Sequence, residues 1–205
     1  MKKCLLCGAP LNNDLSLSFL LSLKPYREPK ICVKCKQKFV DLSHAKKCRI
    51  CGRKGTFRHR ICDDCRRWQK SDTAWFRNRG LYQYNQPMSE YMHQYKFQGD
   101  YRLRWVFAEK FSQTVRSFHR LVIPIPLNPK NYRVRGFNQV LGLLINVNYC
   151  SALLTKSTRK KRPQSRKSRQ DRLRLKQPFR LSPEFKEQIV GQDLLVIDDV
   201  YTTGT

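Results

Sequence analysis

The last twelve residues, Leu194 to Thr205, read LLVIDDVYTTGT. Two adjacent carboxylates, Asp198 and Asp199, follow four apolar residues and precede Thr202, Thr203, Gly204 and Thr205. A short apolar run of this kind is expected to be a buried parallel strand. Carboxylates at its exit can accept sugar hydroxyls or stand beside a hydrated Mg²⁺. Backbone N–H groups and hydroxyls of a Thr/Gly loop can wrap a phosphate. A second group of chemical residues lies in NPKNYRVRGFNQ, after the apolar stretch LVIPIPL, where Lys130, Arg133 and Arg135 place three cations. In open α/β sheets, ligands bind outside the carboxyl ends of strands, and cations there suit a pyrophosphate.

The third group is made of thiols. Eight of nine cysteines form C-x-x-C pairs: Cys4/Cys7, Cys32/Cys35, Cys48/Cys51 and Cys62/Cys65. Two residues between sulfurs let one tight turn aim both at one ion, and Gly8 and Gly52 follow two of the pairs, as such turns prefer. Two turns together make a tetrahedral S₄ site, suited to structural Zn²⁺ and closed to catalysis. Gaps of 24 and 10 residues between successive pairs suit zinc ribbons. Sequential pairing is the preferred assignment, with Cys4, Cys7, Cys32 and Cys35 on one ion and Cys48, Cys51, Cys62 and Cys65 on the other. An interleaved pairing stays open on spacing alone. Cys150 stands outside the pattern and reads as a small buried hydrophobe.

Charge narrows the partners. The 205 residues carry 42 Lys/Arg against 15 Asp/Glu, a formal net charge of +27. Eight thiolates around two Zn²⁺ would lower this by four, to about +23. A chain so basic calls for a polyanion, either nucleic acid or an anionic membrane surface. The densest stretch, a solvated loop over 156–176, includes Arg159, Lys160, Lys161, Arg162, Arg166, Lys167, Arg169, Arg172 and Arg174, which are candidates for nucleic-acid contact. The longest apolar run, Leu15–Leu23, is too short to cross a bilayer. It lies between cysteine pairs, unlike a secretory segment, so metal-bound thiols in the cytosol are expected.

The supporting elements follow from periodicity. Residues 1–70 read as a double zinc-ribbon domain and 71–205 as an α/β domain with a parallel sheet and flanking helices. Thr73–Phe76 and Leu81–Tyr84 read as a hairpin around Arg77–Gly80. Asn85 is a candidate N-cap, with Pro87 in the first turn and Met88, Tyr91, Met92 and Tyr95 on one helical face. Gly99 ends that helix and Asp100 can cap the next, whose apolar stripe is Leu103, Phe107, Phe111, Val115 and Phe118. Leu121–Ile125 is a second buried strand, closed by prolines. Leu141, Leu144 and Ile145 continue as a helix after Gly136.

The terminal stretch resembles the ribose-phosphate loop of type I phosphoribosyltransferases, which bind phosphoribosyl pyrophosphate (PRPP) through hydrophobic-DD-hydrophobic-x-TTG-x-T. All but the last threonine of that pattern is present. The resemblance implies that Asp198 and Asp199 hold ribose hydroxyls and, indirectly, Mg²⁺. Thr202, Thr203, Gly204 and Thr205 would hold the 5′-phosphate, with Lys130, Arg133 and Arg135 facing the pyrophosphate. A domain of that type continues with a helix and a further strand, so it also implies a fold incomplete at the C-terminus.

Four stretches in matching order resemble the ComF family of bacterial late-competence proteins. They are the double C-x-x-C module, YKFQGD (Tyr95–Asp100), PIPL with RGFNQ (Pro124–Leu127, Arg135–Gln139) and DDVYTTG (Asp198–Gly204). Gln164, Arg172 and Phe179 also line up, while Leu175 stands where an asparagine is expected. The resemblance covers nearly the whole chain. It implies a zinc ribbon fused to a phosphoribosyltransferase-like domain, and a role in DNA uptake during natural transformation. The implied partners are single-stranded DNA, other competence proteins such as a DNA-translocating helicase, and peripherally an anionic membrane. Three readings stay open: a cytosolic single-strand-binding protein, a PRPP-dependent transferase with no legible base-binding hood, and an inactive truncated remnant.

Overall fold

The structure is a computed structural model and describes residues 2–11, 20–21, 26, 28–69, 76–156 and 178–201. Two compact units, Met1–Tyr95 and Lys96–Thr205, divide the chain.

In the first unit the same small motif occurs twice, 44 positions apart. Cys4 and Cys48 each open a knuckle closed by a glycine N–H: Gly8 donates to Cys4 O at 2.9 Å and Gly52 to Cys48 O at 3.0 Å. Both glycines have positive φ, 71° and 73°, a conformation that a Cβ resists. Single antiparallel bridges, Lys3 with Pro10 and Lys47 with Lys54, close the two loops at equivalent points. The second cysteine pair of each motif is not a second knuckle of the same kind. Cys32 and Cys35 stand at the start of α1 (Val33–Gln37), and Cys62 and Cys65 at the start of α2 (Asp63–Gln69). The helical turn brings residues i and i+3 to one face, which serves the x₂ spacing as well as a knuckle does.

Residues Leu81–Tyr84 were expected in a hairpin with Thr73–Phe76, part of which lies outside the described residues. The described backbone pairs instead with 40–42: Tyr82 bridges Asp41, Leu42 N–H donates to Leu81 O and Gln83 N–H to Val40 O. Asn85 Oδ1 accepts from Met88 N at 3.1 Å, capping α3 (Gln86–Phe97). Met88, Tyr91, Met92 and Tyr95 form its buried face. Tyr91 meets Phe39 edge-on at 6.1 Å between ring centroids.

In the second unit, β1 (Leu121–Pro124) pairs in parallel with β4 (Leu194–Ile197), Leu121 opposite Leu194 and Pro124 opposite Ile197. The apolar residues of β1 alternate between two cores, and in β4 Leu194 joins one and Leu195 and Ile197 the other, while Val196 is exposed. Val122 and Ile197 pack with Val115 of α4 (Ala108–Arg116) and Val140 of α6 (Gln139–Gly142). Ile123 packs with Cys150 and Ala152 on the other face, so Cys150 is the buried hydrophobe its sequence context suggested. The stretch expected as one helix from Leu103 divides. Tyr101–Val106 forms a 3₁₀ helix capped by Asp100, and α4 begins only after Phe107. Ser112 on α4 stitches the helix to the next loop, donating to Leu143 O and accepting from Ile145 N. Antiparallel β2 (Leu153–Thr155) and β3 (Phe179–Leu181) flank the basic segment, and Lys156 N–H donates to Pro178 O at 2.8 Å where that segment leaves and returns. The second unit is thus α/β, and the first, which precedes it in the chain, holds the paired cysteines.

Candidate functional site

The eight paired thiols gather into two clusters, Cys4/Cys7/Cys32/Cys35 and Cys48/Cys51/Cys62/Cys65, with the sulfurs of each within 4.8 Å of one another. The sequential assignment is therefore the one the fold adopts, and the interleaved one is not. Sulfur pairs at 3.7 Å (Cys7 and Cys32) and 3.6 Å (Cys51 and Cys62) are far beyond a disulfide bond. They are close to the edge of about 3.8 Å that a tetrahedron with metal–sulfur bonds of about 2.3 Å requires.

Electrostatics favours a cation in each cluster. Burial opposes ionisation of Cys4, but N–H groups of Cys32, Cys7 and Leu6 and the Cys7 thiol outweigh it and lower Cys4 to about 6. Cys32 N–H reaches the Cys4 sulfur at 3.3 Å. Cys48 repeats this. Burial again opposes, N–H groups of Cys62, Cys51 and Ile50 prevail with the Cys51 thiol, and the result is about 6. The last cysteine of each set goes the other way. Burial and the neighbouring sulfurs push Cys35 up to about 12, and the same causes push Cys65 up. One thiolate per cluster is thus prepared, and ionisation of Cys35 and Cys65 beside it is penalised until a metal ion supplies positive charge. In the second cluster, Asp64 braces the frame by pairing with Arg53 of the knuckle loop (2.6 Å) and Arg67 of α2 (2.7 Å). Asn78 donates to Cys51 O at 2.9 Å.

The second unit carries the acidic pair. Asp198 and Asp199 leave the carboxyl end of β4, where Ile125 N–H donates to Ile197 O and ties the β1 exit alongside. Asp198 is open to solvent and its Oδ1 accepts from Asp199 N–H at 2.8 Å. Surrounding protein and then the charge of Asp199 raise Asp198 to about 7, with Lys96 opposing the rise. Asp199 turns inward. Its side chain is 6% exposed and Oδ2 lies 2.6 Å from Lys96 Nζ, whose side chain is 15% exposed. The approach is outside hydrogen-bond alignment, so charge rather than a directed bond holds the pair.

Of the three cations expected to face a pyrophosphate, Arg135 is the one that feels the charge of Asp199. Arg135, at the end of α5 (Pro129–Arg135), donates to Gln139 Oε1 at 2.9 Å and lies over the Phe97 ring at 5.2 Å. Burial lowers Arg135 and the Asp199 charge opposes that, so the two side chains feel each other. Lys130 and Arg133 are exposed on α5 and form no ion pair among the described residues. Thr202, Thr203, Gly204 and Thr205 lie outside the described residues. So do Arg159, Lys160, Lys161, Arg162, Arg166, Lys167, Arg169, Arg172 and Arg174.

Sequence reasoning missed Lys96. Its place inside YKFQGD was the available signal, but its partner is about a hundred residues away. Asn138 was missed as well. It caps α6 through Val140 N and Leu141 N, and its Nδ2 donates to Ile125 O at 3.4 Å, fixing the loop after β1.

Fold and sites together define a class, a zinc-ribbon-like Cys₄ module joined to an α/β unit of phosphoribosyltransferase-like type. No family model matches the chain, and no solved structure does. Two relatives span nearly all of it. Competence protein ComFC of Streptococcus pneumoniae (strain ATCC BAA-255 / R6) is 34% identical over 205 residues, 98% of this chain and 88% of the relative. Competence protein ComFC of Bacillus subtilis (strain 168) is 32% identical over 211 residues, 98% of this chain and 83% of the relative. The chain belongs to the ComFC family of competence proteins.

Proposed function

We propose that the protein binds single-stranded DNA during the cytosolic stage of transformation and carries a PRPP-type ribose-phosphate site where β1 and β4 end. The observation that carries this reading is a net charge of +27 in a chain related along 98% of its length to competence proteins. Such a charge supplies the counterion-release term that dominates nucleic-acid affinity. Exposed Lys130 and Arg133, without ion pairs among the described residues, add phosphate partners. No helix among the described residues is long and apolar enough to cross a membrane.

Zn²⁺ is the ion we assign to both cysteine clusters, because four thiolates at tetrahedral spacing suit it and leave no open coordination position. Its role is structural. At the acidic pair, Asp198 is the group free to accept a ribose hydroxyl, since Asp199 is engaged by Lys96. Mg²⁺ would enter there with PRPP and screen the pyrophosphate charge. A PRPP-dependent transferase is the second reading, favoured by an acidic pair at the strand end whose Asp199 charge acts on Arg135. Calorimetry with PRPP and Mg²⁺ tests it, and no heat at millimolar ligand would count against it. The main reading is tested by fluorescence anisotropy of labelled single strands competed with duplex of the same sequence. Tighter binding of the single strand supports it, and no affinity for either at moderate salt removes it.

A further inference from the structure

We propose that Phe137, Tyr101, Arg104 and Trp105 form a base-stacking platform for single-stranded nucleic acid, with Trp105 presenting the ring that takes a base. This rests on the DNA-binding reading and adds where, and by what chemistry, the bases are held.

The four side chains touch one another in order, Phe137 to Tyr101 to Arg104 to Trp105. Tyr101 and Phe137 meet at 4.7 Å between centroids, tilted by 55°. The Arg104 guanidinium lies 4.4 Å from the Tyr101 ring centre and 4.2 Å from that of Trp105. Its Nη1 donates to Tyr101 Oη at 3.0 Å, while its buried Nε has no hydrogen-bond partner. No carboxylate pairs with it among the described residues. The cation is thus held by rings, and its charge is left for an anion from outside.

These rings are not core padding. Tyr91 and Tyr95 are 1% and 0% exposed, whereas Tyr101 is 39% and Trp105 is 41% exposed. With Arg104 against one face of Trp105, the other is the face left for a ligand. Aromatic rings interleaved with cations are how single strands are bound without sequence preference: each base offers a π-face and the cations follow the phosphates. A duplex hides those faces in its own stack. Two exposed cations precede Phe137 in the chain. Lys130 and Arg133 lie on α5, which leads through Gly136 into Phe137. Arg102 does not contribute free charge, because Asp100 clamps it at 2.9 and 2.8 Å.

The test uses the full-length, metal-loaded chain and a labelled oligothymidylate of about 15 nucleotides. Loss of one stacked base predicts that Trp105→Leu weakens binding about 5- to 150-fold. Trp105→Phe keeps a ring and loses less. The salt dependence of Trp105→Leu stays that of the wild type, since no phosphate contact is removed. An abasic strand of equal length binds the wild type more weakly, and Trp105→Leu no longer distinguishes it from the intact strand. This arm reads stacking on the wild type even if the leucine variant folds poorly. Equal affinity of wild type and Trp105→Leu overturns the platform while leaving DNA binding in place, as does an equal loss on abasic DNA for both proteins. Failure of the wild type to bind any single strand removes both the platform and the reading beneath it.

Discussion

Lys96→Met is the perturbation that most sharply probes the acidic pair. Methionine keeps the stem's bulk and removes the charge. At 2.6 Å the Lys96–Asp199 attraction is about 6 kcal/mol at an effective dielectric near 20, most of it offset by desolvation. Deleting one partner of a buried pair costs about 3–5 kcal/mol, because the other charge stays behind unpaired. Here Lys96 keeps some water contact and Arg135 shares the Asp199 field, which brings the expected cost to about 2–3 kcal/mol. Hydrogen exchange at the Ile125 amide, bonded to Ile197 O beside the pair, reads that cost locally. Two units with metal sites are not a two-state system, so a global melt would not. Exchange should accelerate about 30- to 150-fold. Asp199→Asn should do nearly the same, and the double variant should be milder than the two effects added. Unchanged exchange in Lys96→Met, or strict additivity, would refute the claim that the two charges form one unit.

The cysteine clusters predict two bound metal ions per chain by elemental analysis. Cys65→Ser should leave one and Cys150→Ser should leave two; stripping metal with a chelator should expose the Cys48–Gly52 amides to exchange. Gly8→Ala should cost only its left-handed backbone, about 1–2 kcal/mol, since a Cβ there meets nothing within 4 Å. Gly52→Ala should cost more and release metal sooner, because its Cβ would stand 3.1 Å from Asn78 O; equal metal retention would contradict this. Asp198 predicts a pH dependence. Its folded value, about 7, lies above its ordinary 3.8, so its protonated form favours folding, and that contribution is lost as pH rises through about 7. Asp198→Asn, neutral throughout, should match the wild type near pH 4 and, above pH 7, exchange the Ile125 amide a few-fold more slowly once the intrinsic pH dependence of exchange is removed. Such a shift would be worth about 4 kcal/mol in a dry site, and exposure reduces it to about 1. A constant difference across pH would contradict the assignment.

Local features were legible in the sequence because their determinants are local. C-x-x-C spacing, Gly8 and Gly52 specify knuckles, Asn85 with Pro87 specifies a helix start, and apolar runs specify β1 and β4. Their parallel character was read from those runs, and it is seen in the register from Leu121 to Pro124. What spacing could not decide was which pairs share an ion; the fold decided it by setting each knuckle against the helix start that follows. Contacts between distant residues were not legible. Lys96 finds Asp199, Tyr82 finds Asp41, and Phe137 finds Tyr101 only after the chain has folded. The break of the expected helix into a 3₁₀ turn at Tyr101–Val106 was hidden too, because the apolar stripe fits either geometry at Leu103.

The central claim is that this ComFC-family protein holds single-stranded DNA chiefly through its positive charge. Its most direct test is the affinity for a labelled single strand measured across salt concentration. Log K should fall linearly with log[salt], by about 0.7 per phosphate neutralised, with several phosphates involved. Binding that is absent at low salt, or that does not change with salt, would contradict it.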